Sequence, residues 1–127
     1  MGAPGTRTLA AMEPVTADPI ERLLRRVALS DDVVLGSLLA GGRGAEPYPT
    51  LDPKVDALVR LGALISLGAS TTSYRCTVER AYAAGATDEE ILGVLSAVGP
   101  AAGLARAVAA APRLALALGY DVEDDLT

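Results

Sequence analysis

Residues 81–95 read AYAAGATDEEILGVL, and the fold is decided there. Gly85 supplies a glycine where a helix can turn into left-handed backbone and stop. Two residues on, Thr87-Asp88-Glu89-Glu90 forms a capping box, in which the Thr87 hydroxyl accepts from the backbone N–H of Glu90 and the Glu90 carboxylate reaches back. Ile91, Leu92, Val94, Leu95 and Val98 then follow at helical spacing. One helix therefore stops at Gly85 and the next starts at Thr87.

The same punctuation recurs outward from this point. Upstream, Ser70 opens a helix whose stripe is Tyr74, Val78, Ala81 and Tyr82. Before it, Asp52-Pro53 starts a helix in which Val55, Leu58, Val59, Leu61, Leu64 and Ile65 go almost all the way round, which predicts a central helix ended by Gly68. The turn between these two is short, so they are expected to pack antiparallel. Asp18-Pro19-Ile20-Glu21 begins a short helix to about Leu29, with Ile20, Leu23, Leu24 and Val27 on one side and Arg22, Arg25 and Arg26 on the other. Ser30-Asp31-Asp32 caps another through Val33, Leu35, Leu38 and Leu39, ended by Gly41-Gly42. The segment GGRGAEPYPT, residues 41–50, reads as the least structured interior stretch. Downstream, Gly99-Pro100 predicts a break, after which a last helical region runs to about Leu118, bent or split by Pro112 and closed by Gly119. No stretch alternates apolar and polar residues for the length of a strand, so the fold class is all-α. The organisation expected is an arm over residues 1–17, a helical domain over 18–120 and an acidic tail over 121–127.

Composition narrows the function. The 127 residues suffice for one modest core, built from leucine, valine and an alanine content near a fifth of the chain, because the only aromatic residues are four tyrosines. A net charge of -5 repels phosphate backbones and argues against nucleic acid as a partner. With no histidine and a single cysteine, Cys76, the chain lacks the commonest metal ligand and proton relay, and it cannot form an internal disulfide or dithiol pair. No metal and no other cofactor is expected. The start of the chain has no apolar leader, and the longest uncharged apolar run, Ile91 to Ala105, is too short to span a bilayer. A free thiol without an export signal points to the cytoplasm and away from a membrane.

From Leu51 to Gly119 the order of elements resembles the carboxymuconolactone decarboxylase family, which includes the alkylhydroperoxidase D-like proteins. The resemblance rests on LDPKVDALVRLGALISLGA, on ERAYAAGATDEEILGVL and on AVGPAAGLARAVAAAPRLALALGYD. It implies an all-helical domain assembled as a homotrimer or homohexamer, with a small-molecule site between helices near a subunit boundary. In the peroxidase branch the chemistry resides in C-x-x-C-x-x-x-H. Aligned on Ala81, the two cysteines fall on Ser70 and Ser73 and the histidine on Thr77. Dithiol peroxide reduction is therefore not expected, since a hydroxyl is no thiolate. The decarboxylase branch also uses a histidine at the Thr77 position. The reading that follows is a protein with a small-molecule pocket for a carboxylate or lactone, or a module that kept the scaffold for binding or assembly and lost the reaction.

Five residues are candidates for that pocket. Ser70, Ser73 and Thr77 lie at i, i+3 and i+7 and form one polar stripe beside Tyr74, able to orient a small carbonyl or carboxyl compound. Their structural alternative is an N-cap and two surface hydroxyls. Arg106 stands alone in an apolar region, where its charge must reach water, a carboxylate or a ligand, and Arg60 carries the same ambiguity. Cys76 reads either as a thiolate favoured by Arg80 one turn on, or as a small half-buried space-filler. Gly99, Gly103, Ala107 and Ala111 recur every fourth residue, which would place small side chains along one side of a helix for close packing within or between subunits.

Overall fold

The computed structural model describes residues 18–120, and the arm and acidic tail lie outside the described residues. The chain divides into two compact units, Met1–Thr50 and Leu51–Thr127. All regular structure among the described residues is helical: α1 Pro19–Ala28, α2 Asp32–Leu39, α3 Pro53–Leu67, α4 Thr71–Ala83, α5 Asp88–Ala102 and α6 Leu104–Leu118. None of these helices is long and apolar enough to cross a membrane.

Each expected cap is formed. Asp18, Asp31, Asp52, Ser70 and Thr87 accept from backbone N–H groups in the first turn of α1 to α5, and both halves of the Thr87–Glu90 capping box are present. The helix ends share one device. Gly68, Gly85 and Gly119 take positive φ after α3, α4 and α6, and the residue beyond each donates back to a carbonyl one turn inside the helix: Ala69 to Leu64, Ala86 to Ala81, Tyr120 to Ala115. After α1 the same position is held by Ser30 at φ 58, the one non-glycine residue described with positive φ.

In the first unit, Arg26 on α1 binds both Asp31, the cap of α2, and Glu46 in the segment over 41–50; its Nη2 donates to Glu46 Oε2 at 2.6 Å. Ser37, buried on α2, donates to the Glu46 carbonyl at 2.7 Å. Gly44 completes the fit, since a Cβ there would lie 2.9 Å from Ser37 Oγ. The segment read as least structured carries no helix, yet it is tied down at Glu46.

In the second unit α3, α4, α6 and α5 form a ring of four helices, each packed against its two neighbours. Ala57, Leu61 and Ile65 of α3 meet Tyr74, Val78 and Ala81 of α4, Ile91 and Val94 of α5, and Ala110 and Leu114 of α6 in one core. α3 touches all three other helices, but it is not enclosed all round: Val55 and Val59 remain 43% and 57% exposed.

The expectation at α5 is corrected, and the alternative at α6 is narrowed. α5 does not stop at Gly99-Pro100 but continues to Ala102, and α6 passes through Pro112 without splitting. In each case the carbonyl that the proline leaves without a donor belongs to an exposed residue, Ser96 or Val108, where water can take its place. The chain breaks instead at Gly103, at φ 97 and ψ 148. Gly99, Gly103, Ala107 and Ala111 are thus divided between α5, the break and α6, and they do not form one seam.

Candidate functional site

The polar stripe expected on α4 comes apart into three environments. Ser70 is the N-cap: its Oγ accepts from Ser73 N at 3.3 Å and lies 3.2 Å from Ser73 Oγ, so the two hydroxyls serve the start of the helix. Tyr74 is fully buried, and its hydroxyl donates to the Leu64 carbonyl at 3.4 Å. Burial pushes its phenol above the ordinary range. Thr77, two turns beyond the cap, faces a cleft between α3 and α4 lined by Arg60, Ala63, Leu64, Cys76, Thr77 and Arg80, with a volume of about 300 Å³.

Helical spacing explains this lining. Arg60, Ala63 and Leu64 follow the i, i+3, i+4 pattern on α3, and on α4 Arg80 lies one turn beyond the adjacent pair Cys76 and Thr77, at i+4 and i+3 from them. The floor is apolar at Ala63 and Leu64, and the rim is cationic. Arg60 Nε donates to Asp56 Oδ2 at 2.7 Å on its own helix, a single contact that leaves the guanidinium's other donors available. The guanidinium of Arg80, exposed in the last turn of α4, makes no hydrogen bond or ion pair with any described residue. The Cys76 thiol is exposed in the same cleft.

Arg106 lies elsewhere. It is exposed on α6, close to the end of α3: a Cβ at Gly68 would fall 2.9 Å from Arg106 Nη1. Its charge reaches water, so burial does not oblige it to hold an anion. Nearby, Arg113 Nη1 donates to the Ala69 carbonyl at 2.8 Å, beside the negative end of α3. Of the five candidate residues, the structure brings only Thr77 to the cleft. Arg80 is not among the residues that the sequence assigns to the pocket, although its i+3 spacing from Thr77 puts the two on one face of α4.

This arrangement offers two cations, one hydroxyl and one thiol around an apolar floor. Such a set can hold a carboxylate by charge-assisted hydrogen bonds and steady negative charge developing beside it, while the hydroxyl donates to a carbonyl. It contains no histidine to move a proton near neutral pH.

No curated protein and no solved structure matches the chain. The model of the carboxymuconolactone decarboxylase family does match, over residues 36–115, which takes in α3, α4 and α5 and so both walls of the cleft. With more than half of its length covered by that model, the chain belongs to the carboxymuconolactone decarboxylase family.

Proposed function

We propose that the cleft between α3 and α4 binds a small carboxylated compound, such as a carboxylated lactone or keto acid, and that the protein does not reduce peroxides through a dithiol. The observation that carries the reading is the meeting of Arg60, Arg80 and Thr77 at one cleft, with the Arg80 guanidinium making no hydrogen bond or ion pair among the described residues. Arg80 takes the carboxylate, Arg60 shares its charge, and Thr77 donates to a carbonyl or lactone oxygen. Any reaction run here draws on orientation and charge stabilisation, with Arg60 and Arg80 steadying an enolate or carboxylate. The peroxidase half of the reading is supported by the cysteine count, because Cys76 is the one thiol in the sequence and no disulfide can close within the chain.

Thermal-shift titration with carboxylated lactones and keto acids tests the site, since a ligand that binds only the folded chain raises its melting temperature. Wild type, Cys76→Ser and Arg106→Gln are expected to gain the same shift, and Arg80→Gln to bind at least about tenfold more weakly, the loss of one charge-assisted hydrogen bond. Equal stabilisation of all four proteins would overturn the assignment. A second reading, binding without turnover, is favoured by one observation: no histidine stands anywhere in the chain. A ligand that binds at Arg80 and is recovered unchanged supports it, and product formation refutes it.

A further inference from the structure

A cavity of about 290 Å³ lies between α5 and α6, where the start of one helix stands beside the end of the other. Leu92 and Leu95 line it from α5, and Ala111, Leu114, Ala115 and Leu118 line it from α6 at i, i+3, i+4 and i+7. The short side chains of Ala111 and Ala115, one turn apart, leave the space open. Its volume sits at the small end of the range for ligand cavities, about 300–1,000 Å³.

Polarity in this lining is confined to Asp88 and Tyr120. Tyr120 is held there by the turn at Gly119, whose φ of 96 brings the Tyr120 N–H back to the Ala115 carbonyl at 2.8 Å. Tyr82 on α4 donates its hydroxyl to Asp88 Oδ1, and that bond, together with burial, pushes the phenol up to about 12, so it remains a donor through the neutral range. Asp88 Oδ2 makes no hydrogen bond or ion pair with any described residue. The first turn of α5 carries Asp88, Glu89 and Glu90 against one cation, Lys54, which pairs with Glu90 at 3.1 Å. These charges outweigh the helix pole, about half a positive charge, so the field at this end is negative.

A ligand with an apolar body in the cavity brings its head group beside Asp88. A carboxylate head is repelled there, a hydroxyl gains one hydrogen bond, and an ammonium gains a charge-assisted bond to an oxygen that no protein cation has taken. The ring of Tyr120 also favours a cation. We infer that the α5/α6 cavity binds a small apolar compound carrying an ammonium group, with its body among Leu92, Ala111 and Leu118 and its head on Asp88. The inference is independent of the carboxylate reading, because Arg60, Thr77 and Arg80 do not line this cavity.

Calorimetric titration of the full chain at neutral pH tests it with three probes of similar shape: 2-phenylethylammonium, 2-phenylethanol and 3-phenylpropanoate, each from about 10 µM to about 10 mM so that a weak site is still detected. Wild type is expected to bind the ammonium at least about tenfold more tightly than the alcohol, and the carboxylate least. Asp88→Asn, at an exposed residue and still able to accept from Tyr82, is expected to bind ammonium and alcohol alike. Ala111→Leu, also at an exposed residue, fills the cavity and is expected to lose both with helical circular dichroism unchanged. In the labelled wild type the ammonium probe should move the amide signals of Leu92, Leu118 and Tyr120. No binding of the ammonium, equal binding of ammonium and alcohol by wild type, a preference that survives Asp88→Asn, or an affinity unchanged in folded Ala111→Leu would each overturn the proposal.

Discussion

Single residues set where each helix begins and ends, and most of them can be recognised by type. Asp18, Asp52, Ser70 and Thr87 stand immediately before apolar periodic runs, and Gly68, Gly85 and Gly119 stand immediately after them, so the boundaries of α3 and α4 follow from chemistry that acts over four residues. Ser30 is the exception. It performs the glycine role after α1 with a side chain that disfavours left-handed backbone, and nothing in its sequence neighbourhood marks it. Ser30→Gly is therefore expected to stabilise the chain by about 1 kcal/mol, measured as a higher denaturant midpoint at unchanged slope. An unchanged or lower midpoint would show that the serine is not strained there.

At the scale of elements, what the sequence concealed was which side of a helix faces a neighbour. α3 reads as apolar almost all round, yet it buries Ala57, Leu61 and Ile65 and leaves Val59 open, because α4, α5 and α6 cover only part of its circumference. Similarly, Pro100 looks like a terminator, but its cost depends on whether water can reach the orphaned Ser96 carbonyl, a tertiary fact. The tie between Arg26, Asp31 and Glu46 joins α1, α2 and the following segment across distances that local patterns do not encode. Hydrogen bonds from Arg26 hold the Asp31 and Glu46 carboxyls below their ordinary values of 3.8 and 4.5. The unfolded chain thus takes up protons before the folded one as pH falls, so this stabilisation is complete above about pH 4.5 and is lost as pH drops through the depressed values. Amide protection at Val33 and Val34, whose N–H groups Asp31 caps, is expected to fall over that range in wild type. In Arg26→Met it should be lower at neutral pH and vary less with acid. Identical acid profiles in the two proteins would contradict the role given to Arg26.

For the molecule as a whole, the family and helical class were legible from Leu51 onward, while the family model reaches back to residue 36, into α2. The site was legible only in part. Thr77 was found through the spacing of the family motif, whereas Arg60 and Arg80 become neighbours only when α3 and α4 pack side by side. The central claim is that a carboxylate belongs between those helices and not beside Arg106, and amide chemical-shift mapping tests it most directly. Titration of the labelled chain with a small carboxylated lactone is predicted to move the amide signals of Arg60, Cys76, Thr77 and Arg80 along saturating curves, and to leave those of Leu104 to Ala107 in place. Shifts centred on Arg106, or none at saturating ligand for any carboxylate tried, would contradict it.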